Sequence, residues 1–214
     1  MSRILVHVSL TLDGVMQAPG RPDEDVRDGF PFGGWAQPYA DPEMGRSIGQ
    51  GATRPAGMLF GRRTYMDFYS VWPDRTDGNP FTPALNNSQK FVVSNTLREP
   101  LPWQNSTLLA GDGAASVARL KEQHEGRLLV LGSGELVRSL LRHHLVDDLV
   151  LLIHPLVLGT GRRLFEDGIP PATLRLVDSS TTSRGVVIAT YEVAAPGEEA
   201  TYTSPEVGSA FPTR

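Results

Sequence analysis

The chain has 214 residues, 40% hydrophobic and 21% charged, with a formal net charge of −4 and no cysteine. That length holds one large α/β domain or two small ones, and the apolar fraction excludes wholesale disorder. Lack of cysteine excludes disulfides, a thiol nucleophile and cysteine-built metal sites, and the acidic balance disfavours nucleic acid and anionic lipid.

Arg3 to Leu10 is short and rich in leucine and β-branched residues, which predicts a buried strand. No basic-then-apolar leader precedes it. The longest apolar run, Leu149 to Ile153, falls far short of the roughly 20 residues that span a bilayer, so a cytoplasmic protein is expected. Residues 13–40 are rich in Gly, Pro and Asp, the composition of a long functional or flexible loop. Asp41-Pro42-Glu43 then reads as an N-cap with proline at the first helical position, opening a helix to about Gln50. Gly57 to Phe60 is a short strand stopping at Gly61, and Arg63 to Tyr69 continues as a helix. Asn79 to Gln89 is loop and short helix; Lys90 to Ser94 and Thr107 to Leu109 are strands.

The second half is more regular. Ala114 to His124 and Glu135 to His144 carry apolar residues at helical spacing, on either side of a strand from Arg127 to Leu131. Asp148 to His154 is a strand, and Leu174 to Asp178 with Val186 to Val193 forms a hairpin. Alternating strands and helices predict parallel βαβ units with both sheet faces covered, closed by an antiparallel edge. Residues 1–193 therefore form one domain. The remainder, 194–214, lacks periodicity and is expected to be a disordered tail or one that docks on a neighbouring subunit.

Three strand ends attract attention. LLVLGSGELVRSLL, residues 128–141, runs a buried strand through a glycine turn into an amphipathic helix, where open N–H groups and a partial positive charge suit a pyrophosphate. Alone, it reads equally well as a plain βα turn. It lacks the third glycine of the dinucleotide fingerprint, and Leu131 and Glu135 occupy the glycine positions of a nucleophile elbow around Ser133. Gly61-Arg62-Arg63-Thr64 offers two guanidiniums at another strand end, a phosphate grip or a solvated surface pair. Ser94 places a small hydroxyl at a third. Ligands of open α/β sheets sit at such ends, so the pair of sites fits a dinucleotide, with an extra arginine for a 2′-phosphate. Asp13, in an Asp-Gly turn, is an acid, an Asx-turn or a solvated residue; His154 closes a buried strand and is structural or faces the same cleft. The five histidines show no metal-ligand spacing.

The motifs SLTLDGVM, GRRTY, VSNTL, LGSGELVRSLL and HPLVLGTGRRLF occur in one order along the chain. Together they resemble the dihydrofolate reductase superfamily, in its branch similar to the reductase (RibD C-terminal) domain of riboflavin biosynthesis, over about residues 2–193. The resemblance implies a three-layer α/β/α fold around a mainly parallel mixed sheet, binding NADPH at the strand ends. By analogy Leu131, Gly132, Ser133, Gly134, Glu135 and Leu136 hold the pyrophosphate. Gly61, Arg62, Arg63 and Thr64 hold the 2′-phosphate, with Ser94 beside the adenine ribose and Ser9, Val15 and Met16 around the nicotinamide. A homodimer is implied. Trp35 and Tyr39 are expected to close over the substrate and Phe68 to wall it, with Asp13, His154 or water as proton source. The folate enzymes' acidic residue has no counterpart that can be placed, and Leu131 stands where riboflavin-pathway reductases carry glutamate. The reading is an NADPH-dependent reductase of a C=N or C=O bond in a small heterocyclic molecule. A non-catalytic dinucleotide-binding sensor and a reductase using a deazaflavin stand as alternatives.

Overall fold

In the computed structural model, residues 1–51, 55–79 and 81–195 are described. Among these described residues, eight strands form one sheet, with five α-helices: β1 (Arg3–Thr11), α1 (Pro42–Gly51), β2 (Pro55–Gly61), α2 (Arg62–Val71), α3 (Phe81–Asn87), β3 (Lys90–Val93), β4 (Ser106–Leu109), α4 (Gly113–Gln123), β5 (Arg127–Val130), α5 (Gly134–Arg142), β6 (Asp148–His154), β7 (Leu174–Thr181) and β8 (Val187–Val193). The strand order is β4-β3-β2-β5-β1-β6-β8-β7. From β4 to β6 every pairing is parallel; β8 runs antiparallel to β6 and β7. The expected α/β architecture with an antiparallel end is present.

Alternation along the central strand separates two cores. On one face Ile4, Val6 and Val8 of β1 pack with Val117 and Leu120 of α4 and Val137 and Leu140 of α5. On the other, Leu5 packs with Phe60, Tyr65 of α2, Leu85 of α3 and Trp103. Helices thus cover both faces, and β1 and β5 lie in the middle with their C-terminal ends opening on one rim.

One feature departs from the sequence reading and one refines it. The long stretch after β1 is no free lid: it builds its own small core of Val15, Ala18, Phe30 and Trp35, with only single 3-10 turns at 27–29 and 37–39. Trp35 Nε1 donates to Gln17 O at 2.7 Å, and the Gln17 amide donates to the carbonyls of Asp25 and Arg27. Side chains thus supply the order that proline and glycine deny the backbone. The refinement is Lys90, which is fully buried at the start of β3, in the strand expected to be buried. Its ammonium donates to the carbonyls of Asn86 (3.1 Å), Ser88 (2.9 Å) and Gln104 (3.1 Å) and lies 4.4 Å from the Trp103 ring centroid. Burial pushes its pKa down to about 8. Of the C-terminal segment 194–214, Ala194 continues the sheet edge by donating to Thr173 O at 2.9 Å; the tail from residue 196 lies outside the described residues.

Candidate functional site

A cleft of about 1210 Å³ runs along the rim formed by the ends of β1, β2, β3 and β5. Its construction begins with two strand-to-helix junctions that touch. Strand β2 passes into α2 with no intervening residue, and Gly61 caps that helix in extended conformation (φ −82°, ψ 158°) without a side-chain acceptor. A Cβ at Gly61 would overlap the Ser133 hydroxyl, so the absence of a side chain lets the β2 and β5 junctions close on each other. At the second junction Gly132 has φ +98° and Ser133 has φ +70°, a left-handed pair that turns the chain into α5; Ser133 also gives no side-chain cap. Two helix starts therefore face the cleft with open N–H groups and aligned dipoles. A third start behaves differently. Asp112 caps α4, accepting from Ala115 N at 3.1 Å.

Charge reinforces this geometry. Arg62 and Arg63 are exposed on the cleft wall and form no ion pair or side-chain hydrogen bond among the described residues. Arg138, by contrast, is 3% exposed and held by Glu135 (3.1 Å), Glu166 (3.1 Å) and the Arg163 carbonyl (2.8 Å). Arg162 bonds Asp28 at 2.8 Å and lies 3.5 Å from Glu135, with its Nε buried and unpartnered. Ser94 also lines the cleft, but its Oγ accepts from the N–H groups of Thr96 and Leu97, each at 3.1 Å, so it shapes the turn after β3. Ser9, Met16, Gly61, Thr64 and the whole run Leu131–Leu136 line the same wall.

Several expected site residues lie elsewhere. Val15 is fully buried and bridges to Arg163, away from the cleft lining. Asp13 is a structural anchor: its carboxylate accepts from Thr11 Oγ1 (2.6 Å), Leu158 N (3.2 Å) and Gly159 N (2.9 Å) and pairs with Arg163 (3.4 Å). Desolvation opposes ionisation, but those hydrogen bonds prevail and hold its pKa at about 2, which removes it as a proton donor near neutrality. His154 is fully buried, with Nδ1 3.0 Å from Leu152 O and 3.3 Å from Leu10 O, and it does not reach the cleft. Burial lowers its pKa. Trp35 and Tyr39 pack edge-on against that imidazole, at 5.0 and 5.5 Å between ring centroids, and so fasten the loop instead of closing over a ligand. Phe68 does wall the cleft.

The structure adds residues the sequence left unassigned. His7 lies on the cleft wall, 6% exposed, with Nε2 3.2 Å from Ser47 Oγ; burial holds its pKa near 4. Glu24 comes from the loop. Its Oε2 accepts from Gly20 N (2.6 Å) and Arg21 N (3.1 Å), while burial raises its pKa. Arg21 pairs with Asp67 of α2 at 2.5 Å. For Asp67 a signal existed, since Thr64, Asp67, Phe68 and Val71 share one helix face and all line the cleft. Glu24 had none, because its loop lacks any period.

Comparison with known proteins places this architecture. A family model described as the RibD C-terminal domain matches residues 3–188. The uncharacterized protein YyaP of Bacillus subtilis is 28% identical over 196 residues, covering 88% of this chain and 94% of that protein. The fold is similar to a putative riboflavin biosynthesis protein from Shewanella sp. PV-4, with a TM-score of 0.64, 20% identity, and coverage of 90% of this chain and 99% of that one. It is also similar to a Thermotoga maritima diaminohydroxyphosphoribosylaminopyrimidine deaminase/5-amino-6-(5-phosphoribosylamino)uracil reductase, with a TM-score of 0.60, 14% identity, and coverage of 90% and 57% of the two chains. With its parallel sheet, paired glycine junctions and matched family model, this chain belongs to the RibD C-terminal domain family, within the dihydrofolate reductase-like superfamily.

Proposed function

We propose that the protein is an NADPH-dependent reductase of a small ring-containing molecule. The observation that carries this reading is the coincidence, on one rim, of two uncapped helix starts and two arginines with no carboxylate partner among the described residues. Open N–H groups and unpaired guanidiniums are an incomplete arrangement that phosphate oxygens complete. The open space over Gly132, where a side chain would stand, fits close approach of such a group.

In this reading the turn Gly132–Leu136 holds the pyrophosphate, Arg62, Arg63 and Thr64 hold the 2′-phosphate, and Ser94 borders the ribose. Ser9 and Met16 line the path to the reacting ring. The nicotinamide, when bound, supplies a hydride to an electrophilic carbon of the substrate. The protein orients both partners, excludes water, and holds the proton that the adjacent heteroatom takes up. For that proton the structure favours Glu24 over Asp13 and His154, because Glu24 lines the cleft and burial keeps its carboxyl protonated to higher pH than usual. The expected homodimer would use the edge strand β7, where Leu176 and Val177 are 53% and 56% exposed.

Fluorescence titration tests the reading. NADPH should bind at least about tenfold more tightly than NADH, the ratio expected of one or more charge-assisted phosphate contacts; equal affinities would overturn it. If Glu24 supplies the proton, turnover falls as pH rises through its elevated pKa. Glu24→Gln should lower kcat and abolish that alkaline limb, and an unchanged pH profile would remove Glu24 from this role.

A further inference from the structure

Resting on that reading, we propose that the substrate is a flat, unphosphorylated ring compound, neutral or cationic, seated at the end of the cleft opposite the paired arginines. Helix α2 separates the two ends. Arg62 opens it, Phe68 follows six residues later and Trp72 caps it. At 1.5 Å per residue these side chains leave the helix roughly 9 and 15 Å further along.

The two ends differ in free charge. Beside Arg62 and Arg63 no carboxylate is in place among the described residues. At the far end each cation already has one: Arg21 binds Asp67 at 2.5 Å and reaches Asp23 at 3.3 Å, and Arg75 binds Asp77 at 2.6 Å while its guanidinium lies 4.7 Å from the Trp72 ring centroid. Glu24 adds a further acid to this wall. His7 adds no positive charge near neutrality, since its burial disfavours the imidazolium; its Nε2 lies 3.2 Å from Ser47 Oγ, whose own hydroxyl donates to Met44 O (2.8 Å). A phosphate brought here would have to displace a carboxylate from its arginine.

What this end does offer is aromatic surface. Phe68, Trp72 and Phe81 form a chain with ring centroids 6.2 and 5.5 Å apart, and Met44 and Leu152 line the same cleft. A planar ring fits against such a wall by stacking or edge contact, and sulfur adapts to its outline. Substrate selection is therefore by flat apolar shape and against negative charge.

Calorimetry with riboflavin and riboflavin 5′-phosphate, a pair differing only in the phosphate, tests this on the NADPH-loaded protein. Riboflavin should bind at least about tenfold more tightly. Asp67→Asn, which releases Arg21, should strengthen the phosphorylated member by about threefold or more and leave riboflavin unchanged, whereas Phe68→Ala should weaken riboflavin about fivefold. Equal or tighter binding of the phosphate, or binding of neither compound, overturns the proposal. Should NADPH itself fail to bind, the reductase reading falls, and the same pair titrated into cofactor-free protein still decides the preference at this end.

Discussion

At the cleft rim Arg62 and Arg63 meet no carboxylate among the described residues and α2 and α5 begin without side-chain caps, whereas away from the rim buried Lys90 donates to three carbonyls and half-buried Asp13 accepts from a hydroxyl and two backbone N–H groups. Lys90 and Asp13 are paired in this way because an unpaired polar group, cut off from water, costs about 1–3 kcal/mol. Rim groups escape that cost while water reaches them, so they can wait for a ligand. Helix α4 is the internal control. Gly113 also lines the cleft, yet Asp112 closes that helix start with a carboxylate of the chain's own. Where the chain supplies the anion it builds structure; where it withholds one it leaves, on the proposed reading, a place for a phosphate.

The sharpest way to break this contrast is to remove the rim arginines together. Arg62→Ala with Arg63→Ala should cost about 3–6 kcal/mol of NADPH binding, at roughly 1.5–3 per charge-assisted contact, and barely move the unfolding midpoint. A protein that unfolds easily but binds normally would invert the assignment of rim and interior. Lys90→Met is the mirror experiment. It strands three carbonyls and should lower unfolding free energy by about 2–4 kcal/mol in denaturant titration, with NADPH affinity unchanged.

Acid sharpens the interior side. Burial places the His7 pKa near 4 against an ordinary 6.5, so the unfolded chain takes up the proton first as pH falls. The associated stability is fully present above about pH 6.5 and is lost toward pH 4, on the order of 3 kcal/mol in total. His154, lowered in the same direction, adds to the loss. His7→Gln should flatten the fall in stability measured between pH 7 and 4.5; an equally steep fall would place the acid sensitivity elsewhere. The smallest expected effect is Asp112→Ala, which should destabilise by about 1 kcal/mol through loss of a cap and leave cofactor binding alone.

Much of this was legible in the sequence. Helical spacing identified α4 and α5, and the run Asp148–His154 appears as β6 with the boundaries its apolar pattern predicts. The glycine turn after β5 and the arginines after β2 stand out because strand, turn and helix signals follow one another within a dozen residues. The loop was harder. Its composition forbids a long regular element, but only packing shows that Trp35 and Tyr39 turn inward onto His154. Asp13 could be read as acid or anchor, and three donors from a segment some 145 residues away and from its own turn decide for anchor.

Strand order of appearance, helix spans and the two junction motifs follow from the sequence itself, since periodicity, capping and turn chemistry act between near neighbours. Which charges are spent and which are free is decided only by the tertiary structure. Arg21 and Arg62 are equivalent cations on paper, but the first finds Asp67, 46 residues along the chain, and the second finds no partner among the described residues. A charge's meaning depends on what folding brings within a few ångströms of it, and Coulomb attraction and desolvation operate over that distance, not over sequence separation.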